Sequence, residues 1–362
     1  MTEGSAVLAL DASQGEGGGQ VLRTALALAV VLGRPVTLDR IRLHRPRPGL
    51  QPQHLTVVRA LAAISEARVE GDRLDSTGLS FAPRRLGGGY WRFDVGAVHA
   101  SAGSVPLLLQ ALLLALVWAD APSRLTLVGG THVPWSPTVH YLTGVFLPAL
   151  ASLGVGAALR LRRCGWYPAG GGEVEASITP AARIAGLTAT DQASRLELAG
   201  CSLVCRLPRS IAERQRQQAE ARLAAAGLSA AMTIEEDPRA LGPGTMLFLR
   251  ADARAGFSAL GRRGVPAERV ADEAVDALLE WQQSGAAVDV HLADQLVPFL
   301  ALADRPSSFT CPALSGHLRT VAWVVQQFLP VGIALHEGRP ARVEIAPVPG
   351  PRPGGRSPAQ RP

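Results

Sequence analysis

The sequence predicts an α/β (α+β) protein whose main domain is built from three βαβαββ repeats, with a smaller α/β domain inserted between the second and third. Three stretches show the same succession of apolar strands, turns and helices. A proline-containing turn recurs at the same place in each, at Pro35, Pro122 and Pro306. Repeats of this size pack against one another in a layered core. The alternative is coincidence among short α/β segments.

The predicted elements follow this pattern in order. The first repeat, 6–81, contains strands at 6–10 and 36–41, helices at 21–32 and 53–65, and two further short strands. The second has strands at 91–95, 124–128, 156–161 and 173–178, with helices at 105–118 and 138–153. The third has strands at 288–291, 308–311, 332–336 and 341–345, with helices at 293–302 and 316–328.

The region between the second and third repeats has a different pattern. It contains predicted strands at 195–198, 202–207, 231–235 and 245–250, a charged helix at 211–225 and a helix at 266–282. We therefore expect a main domain of residues 1–180 plus 285–345 and an inserted domain of residues 181–284. The tail at 346–362 is rich in Pro, Gly and Arg and is predicted to be disordered.

Composition favours an anionic partner. The chain has 362 residues, 47% of them hydrophobic, and a net charge of +6, and every basic residue is an arginine. Arginine suits bidentate phosphate contacts, so nucleic acid is a natural partner. The alternative is that arginine-rich usage merely follows from a GC-rich genome.

Cysteine usage and hydropathy give an expected location. The four cysteines form no pair of C-x-x-C units, which argues against a zinc site and for free thiols in a reducing compartment. The N-terminus lacks a signal-peptide pattern. The longest apolar run, 105–119, is interrupted by Pro106 and Gln110 and is too short to cross a bilayer. We expect a cytoplasmic protein without a membrane partner.

A glycine-rich loop, DASQGEGGGQ at 11–20, joins the first strand to the first helix. Its four glycines between positions 15 and 19 allow close approach of the backbone to a ligand, and the helix start that follows favours an anion. Glu16 lies inside the loop, and a carboxylate beside a phosphate calls for a divalent metal between them. The alternative is a tight turn with a surface glutamate.

His317 is the sharpest catalytic candidate, because it lies in the first turn of an apolar helix. A helix start lowers the basicity of imidazole, so a neutral, nucleophilic ring is expected at pH 7. Histidine forms a covalent adduct when a reactive phosphoryl group is held in line. The alternative is a capping or core histidine.

Two further groups of polar residues are ligand candidates. Segment 291–295, HLADQ, follows a predicted strand end, where Asp294 and Gln295 can bond a ribose or a base or cap the helix. Gln110 lies in a very apolar helix and needs a partner, which is either a ligand or a backbone carbonyl.

A basic cluster in the first repeat suits a phosphate clamp. It comprises Arg42, His44, Arg45, Arg47, Gln53 and His54, with Arg23 just inside the first helix. The alternative is an exposed basic loop.

Taken together, these motifs resemble the RNA 3′-terminal phosphate cyclase family. The matching pieces are QGEGGGQ at 14–20 with LR at 22–23, RPGL at 47–50 with QHL at 53–55, GGT at 129–131, GWYPAGGG at 165–172, LADQ at 292–295 and GHL at 316–318. They occur in the family's order from about residue 6 to 345. The combination is specific, although no single motif is.

The resemblance implies the same three repeats with an inserted domain, and an ATP-dependent reaction. His317 would attack the α-phosphorus of ATP, and AMP would then pass from the ring to an RNA 3′-phosphate. Attack by the neighbouring 2′-OH would give a 2′,3′-cyclic phosphate. The resemblance also implies Mg²⁺ on Glu16 and RNA 3′-phosphate ends as partners, and it leaves a homodimer open.

Residue roles follow from the same resemblance. The nucleotide would contact Glu16, Gln110, His291, Leu292, Ala293, Asp294 and Gln295. The RNA end would contact Arg23, Arg42, Arg45, Gln53 and His54.

Two departures and two alternative functions accompany the resemblance. The family's well-known bacterial form has a tyrosine where His291 stands, and a histidine is common where Cys164 stands, which leaves nucleotide preference open. A non-catalytic RNA-binding relative in ribosomal RNA processing would lack the nucleophile, whereas His317 is present. An enolpyruvyl-transferase-like enzyme would need six repeats and a longer chain.

Overall fold

The computed structural model describes residues 6–97, 101–194 and 196–347. The strands are β1 (Leu8–Asp11), β2 (Val36–Asp39), β3 (Arg68–Glu70), β4 (Leu79–Ala82), β5 (Tyr90–Asp94), β6 (Ser123–Gly129), β7 (Gly156–Arg163), β8 (Gly172–Thr179), β9 (Thr188–Ala189), β10 (Leu198–Cys205), β11 (Ala230–Glu236), β12 (Gly244–Ala251), β13 (Ala255–Leu260), β14 (Ser307–Cys311), β15 (Gly332–His336) and β16 (Ala341–Ala346). The helices are α1 (Gly19–Leu32), α2 (Pro52–Ser65), α3 (Val105–Leu116), α4 (Val139–Tyr141), α5 (Leu147–Ser152), α6 (Arg209–Ala225), α7 (Ala267–Ser284), α8 (Val290–Leu300) and α9 (Gly316–Phe328).

The described strands form four mixed sheets of four strands each, so the predicted α/β (α+β) class is confirmed. Three sheets, ordered β1-β2-β4-β3, β5-β6-β8-β7 and β9-β14-β16-β15, share one connectivity. In each, the first strand is parallel to the second, and the fourth strand is antiparallel to the second and third. The fourth sheet, β11-β10-β12-β13, is connected differently.

The predicted strand at 288–291 is wrong, because α8 begins at Val290. The Asp289 carboxylate accepts hydrogen bonds from the backbone N–H groups of His291 (2.7 Å) and Leu292 (2.8 Å), which is a helix N-cap. The place beside β14 is taken instead by β9, which precedes the fourth sheet in the chain. Residues 288–291 therefore belong to a helix start capped by Asp289 and not to a strand.

The predicted helix at 138–153 is interrupted by a π-helical segment, Leu142–Phe146, between α4 and α5. Pro148 follows directly in the first turn of α5. Proline cannot donate a backbone hydrogen bond to the preceding turn and its ring crowds the carbonyl there, so the wider turn lies where proline disturbs the helix.

Helices occupy the centre of the larger core, with strands around them. Helix α1 is buried along almost its whole length, from Val21 to Val31, and packs on α2, α3 and α9. A helix that is apolar on all sides needs such a central position. Strand β8 alternates buried and more exposed residues, as expected when one face of a sheet covers the helices.

The fourth sheet packs on both of its faces. Leu247 and Leu249 on one face join a second core with α6 and α7. Cys201 and Phe248 project from the opposite face into the larger core. The Tyr141 hydroxyl donates to the Asp289 carboxylate (3.0 Å), which also accepts from the Gly256 N–H, so buried polar contacts add to this packing.

The predicted tail starts one residue too early, because Ala346 is the last residue of β16. Residues 348–362 lie outside the described part of the chain. Within the described part, no helix combines the length and apolar character needed to cross a membrane.

Candidate active site

The first two turns of several helices meet around a cavity of about 650 Å³. They contribute Gln20 and Arg23 from α1, Leu107 and Gln110 from α3, His291 and Asp294 from α8, and His317 from α9. Helix N-termini carry partial positive charge and favour anions. The cavity is therefore suited to a phosphorylated ligand.

His317 lies in the first turn of α9, where the Ser315 hydroxyl caps the helix by accepting from the Leu318 N–H (3.0 Å). Its imidazole is about half exposed and contacts the glycine-rich loop through both nitrogens. Nδ1 lies 2.7 Å from Oε1 of Gln20, and Nε2 lies 3.0 Å from Oε2 of Glu16. The predicted nucleophile and the predicted loop thus form one site.

The glycine-rich loop docks on α9 because glycine stands at both points of closest approach. Gly15 has φ +62°, and a Cβ there would collide with the hydroxyl of Thr320. A Cβ at Gly316 would collide with Oε1 of Glu16. The Thr320 hydroxyl accepts from the Glu16 N–H (3.2 Å) and donates to the Gly316 carbonyl (2.7 Å), which fixes the loop on the helix.

The pKa of His317 lies below its ordinary value, first because the ring is partly buried. The positive charges of Arg23 and Arg45 act in the same direction, while the Glu16 carboxylate opposes them. In the tautomer with its proton on Nδ1, the neutral ring donates to Oε1 of Gln20 and has its lone pair on Nε2, which is the nucleophilic form. That lone pair faces the Glu16 carboxylate at 3.0 Å, and a cation bound to Glu16 would reduce the repulsion between the carboxylate and the lone pair.

Three predicted arginines surround the loop. Arg45 donates to the backbone carbonyl of Glu16 (2.9 Å), and Arg42 donates to the carbonyl of Arg47 (3.0 Å). Burial lowers the pKa of Arg23 to about 10, and the nearby Asp294 carboxylate opposes that shift. Arg45 adds to the lowering of the Arg42 pKa that burial causes. This concentration of positive charge suits a phosphate.

His54 is buried beside these arginines, and only 7% of it is exposed. Burial, together with the charges of Arg42 and Arg23, lowers its pKa to about 3, so the ring is neutral. Its Nδ1 accepts from the Gln51 N–H (3.2 Å), which leaves the ring proton on Nε2. A Cβ at Gly19 would collide with this Nε2, so His54 presents a neutral donor to the loop.

Gln53, which was predicted to contact the RNA end, uses its side-chain oxygen to bind the start of another helix. Its Oε1 accepts from the Ser104 N–H (3.0 Å) at the start of α3. Gln53 therefore ties α2 to α3 beside the basic cluster.

The residues predicted to bind the nucleotide fall into two sets. The side-chain atoms Nε2 of Gln110 and Oε1 of Gln295 are buried without a hydrogen-bond partner among the described residues, and both residues line the cavity. Such atoms call for a polar ligand. His291 and Asp294 also line it, and burial with the nearby Asp289 carboxylate raises the Asp294 pKa well above its usual range. Leu292 and Ala293 are instead buried in the larger core.

The structure adds residues to which the sequence gave no role. Gln20 belongs to the loop motif, and Thr320 lies one turn after His317, but only their contacts show what they do. Trp135 lines the cavity with a fully exposed side chain. In the sequence, only the GGT motif at 129–131 indicated that the loop containing Trp135 could contact a ligand.

Comparisons with known proteins agree with the geometry. A family model described as "RTC: RNA 3′-terminal phosphate cyclase" matches residues 14–335. The chain is 42% identical over 352 residues to the RNA 3′-terminal phosphate cyclase of Methanopyrus kandleri, covering 94% of this chain and 99% of that protein. It is 46% identical over 332 residues to that of Methylococcus capsulatus, covering 89% and 91%. A solved EPSP synthase from Acinetobacter baumannii is similar over 94% of this chain and 66% of that one, but 11% identity and a TM-score of 0.29 carry no weight.

We predict that His54→Asn makes the protein less sensitive to acid. The native state keeps His54 neutral down to about pH 3, whereas an unfolded chain protonates it near 6.5. The contribution of His54 to the free energy of unfolding is therefore present at neutral pH and is lost as pH falls below about 6.5, by about 2 kcal/mol at pH 5. Urea unfolding at pH 7 and pH 5 measures this loss.

The substituted asparagine can still accept from the Gln51 N–H, so the cap is largely kept. His336→Asn, at an exposed position on β15, is the control and should retain the wild-type pH dependence. An equal loss of stability in wild type and His54→Asn would contradict the buried neutral ring.

Proposed function

The chain belongs to the RNA 3′-terminal phosphate cyclase family, and from this premise we propose that it converts RNA 3′-terminal phosphates to 2′,3′-cyclic phosphates with ATP. The reaction forms a phosphoric-ester ring and releases AMP and diphosphate. The contact of His317 with Gln20 and Glu16 at a cavity of helix N-termini carries the proposal. A non-catalytic relative would not need a histidine held in this way.

In the first proposed step, Nε2 of His317 attacks the α-phosphorus of ATP. An N–P bond forms, the bond to the diphosphate oxygen breaks, and AMP remains on the ring. Oε1 of Gln20 accepts a hydrogen bond from Nδ1–H of His317, which keeps the lone pair on Nε2. The positive ends of the surrounding helices stabilise the charge on the departing diphosphate.

We propose that the nucleotide occupies the cavity between α3 and α8. The unpartnered side-chain atoms of Gln110 and Gln295 support this placement, because a base or ribose would satisfy them. His291 is exposed at the cavity and offers a ring face for stacking, while Asp294 reaches the same space. Leu292 and Ala293 would contribute only through backbone or packing, since their side chains are in the core.

Glu16 would hold Mg²⁺. A site with a single carboxylate fits this ion, which takes few protein ligands and completes its shell with phosphate oxygens and water. Oε2 of Glu16 also lies 3.0 Å from Nε2 of His317, and a cation bound nearby would offset the negative charge beside this nitrogen. When bound, Mg²⁺ supplies neutralisation of the phosphate charge.

In the second step, AMP is transferred to the RNA 3′-phosphate, and in the third step the 2′,3′-cyclic phosphate forms. An oxygen of the RNA 3′-phosphate attacks the adenylyl phosphorus, the N–P bond breaks, and Nε2 of His317 regains its lone pair. The RNA 2′-OH then attacks the 3′-phosphorus, loses its proton and expels AMP. Specificity would lie in the terminal phosphate and 2′-OH rather than in the bases.

The basic cluster would hold that terminal phosphate. Arg23, Arg42 and Arg45 supply charge around the loop, and His54 supplies a neutral N–H donor. Gln53 would align α2 with α3 beside them. A cluster that is positive before the substrate arrives needs no rearrangement to stabilise charge during ring closure.

We also propose three βαβαββ repeats with an inserted unit. The shared connectivity of three sheets supports the repeats. Because β9 precedes the fourth sheet and pairs with β14, we now place the inserted unit at about 190–286 instead of 181–284. A homodimer and a cytoplasmic location remain predictions from the sequence.

We predict that His317→Ala abolishes self-adenylation. Wild type incubated with ATP labelled at the α-phosphate and Mg²⁺ should retain label that is acid-labile and base-stable, as expected of a phosphoramidate. The variant should retain none, because the other described ring nitrogen at this loop, Nε2 of His54, carries the ring proton and has no lone pair with which to attack. His336→Ala, on the surface, should label like wild type. Label of normal amount on His317→Ala would defeat the assignment.

We predict that Arg45→Ala slows the transfer of AMP to RNA much more than it slows adenylation of the protein. Loss of a charged hydrogen bond to the RNA phosphate, worth about 1.5–3 kcal/mol, should slow transfer of AMP to a 3′-phosphorylated oligonucleotide about 10- to 100-fold. Adenylation of the protein should change only slightly. Single-turnover assays of both steps measure the split, with exposed Arg305→Ala as control.

An equal loss in both steps would mean that Arg45 acts through its hydrogen bond to the Glu16 carbonyl and not on the RNA phosphate.

A further inference from the structure

We propose that His140, Cys201 and Glu235 form a binding site for a zinc ion, separate from the nucleotide cavity. The ligand atoms of the three side chains all lie within 4.8 Å of one another. None of the three residues lines the cavity. The site would join α4 to strands β10 and β11.

Sheet register brings two of the ligands together. Strands β10 and β11 are parallel, with Cys201 opposite Thr233. Because side chains alternate along a strand, Cys201, Thr233 and Glu235 project from the same face. That face packs on the larger core, where α4 places His140 with its Nε2 3.0 Å from Oε2 of Glu235.

The donor set fits zinc. Thiolate, imidazole and carboxylate are its usual protein ligands, at about 2.0–2.3 Å in a tetrahedron, which puts ligand atoms roughly 3.3–3.7 Å apart. In the structure, the ligand atoms of these three side chains are between 3.0 Å and 4.8 Å apart, which includes that range. Cys201 is buried, the His140 side chain is 13% exposed and that of Glu235 is 45% exposed. An ion can therefore enter from the Glu235 side, and water would be the fourth ligand.

A chain of buried hydrogen bonds, the relay Thr131–His132–His140, orients the His140 ring. Nδ1 of His140 lies 2.8 Å from Nε2 of His132, whose Nδ1 lies 2.7 Å from the Thr131 hydroxyl. The His132 ring is buried and stacks on Trp166, with ring centroids 4.9 Å apart. Outer partners of this kind orient a metal-bound imidazole and set its tautomer.

The relay accommodates both the free and the bound state. Without metal, Thr131 donates to His132, His132 Nε2–H donates to His140, and His140 Nε2–H donates to Glu235. With metal, each ring carries its proton on Nδ1 instead, and the Thr131 hydroxyl accepts from His132 and turns toward the Gly165 carbonyl at 3.4 Å.

Cobalt substitution tests this proposal on the full chain. Protein stripped with a chelator and kept free of nucleotide is titrated with Co²⁺. One equivalent should bind and give a sulfur-to-cobalt charge-transfer band in the near ultraviolet and intense visible bands of a tetrahedral site. Zn²⁺ should then displace it. A Mg²⁺-type site at Glu16 has no thiolate ligand and cannot produce the sulfur band.

Substitutions assign the ligands. Cys201→Ala should lose the sulfur band and weaken binding by more than the 10- to 100-fold expected for an outer partner. His132→Phe, a positioning change, should keep the band and weaken binding about 10-fold. Cys205→Ala is the matched control, because it removes a buried thiol four residues along the same face of β10 and should behave as wild type.

Glu235→Gln keeps the size of the side chain, so it decides the question even if Cys201→Ala fails to fold. It should keep the sulfur band but bind Co²⁺ and Zn²⁺ much more weakly. Zn²⁺ should raise the unfolding temperature of wild type and Cys205→Ala more than that of Glu235→Gln. Absence of a sulfur band in wild type, or wild-type affinity in Glu235→Gln, would overturn the proposal.

Discussion

The contacts of Gln20 and Glu16 with the two ring nitrogens of His317 are the interaction on which the rest of the site depends. They join the glycine-rich loop and the start of α1 to α9, almost 300 residues away in sequence. Two glycines permit the approach: Gly15 lies against Thr320, and Gly316 lies against the Glu16 carboxylate. Larger side chains there would separate the loop from α9, and the ring would lose the acceptor that sets its tautomer. The tight packing of α1 against α9 keeps this geometry rigid.

The same packing concentrates positive potential where a nucleotide and an RNA phosphate would meet. Apolar helices in the centre of the core direct their N-termini at one cavity, and the half-buried Arg23 and Arg42 add full charges beside them. The cost of burying these charges appears in the lowered pKa values of Arg23, Arg42 and His54. An anion is thus the natural complement of this site. Keeping His54 and His317 neutral would provide the proposed hydrogen-bond donor and the proposed nucleophile without adding further repulsion.

Local patterns in the sequence predicted the helices, most strands, the glycine-rich loop and His317, because these depend on neighbouring residues. Features set by distant packing could not be predicted. Asp289 caps α8 where the sequence predicted a strand. The short β9 is recognisable only from its pairing with β14. The roles of Gln20 and Thr320 needed the folded contacts. Cysteine spacing detects only ligand pairs close in sequence, so it could not show that the sheet register brings Cys201 near His140 and Glu235.

The most direct test of the central contact is a ¹⁵N NMR titration of the histidine rings in the nucleotide-free protein, with His317 assigned by comparison with His317→Ala. We predict that His317 titrates below the ordinary value of about 6.5, with its neutral-state proton on Nδ1. Glu16→Gln should lower this pKa further, because the Glu16 carboxylate favours the charged ring. A pKa at or above 6.5, or one that Glu16→Gln leaves unchanged, would show that the ring is not held by the loop.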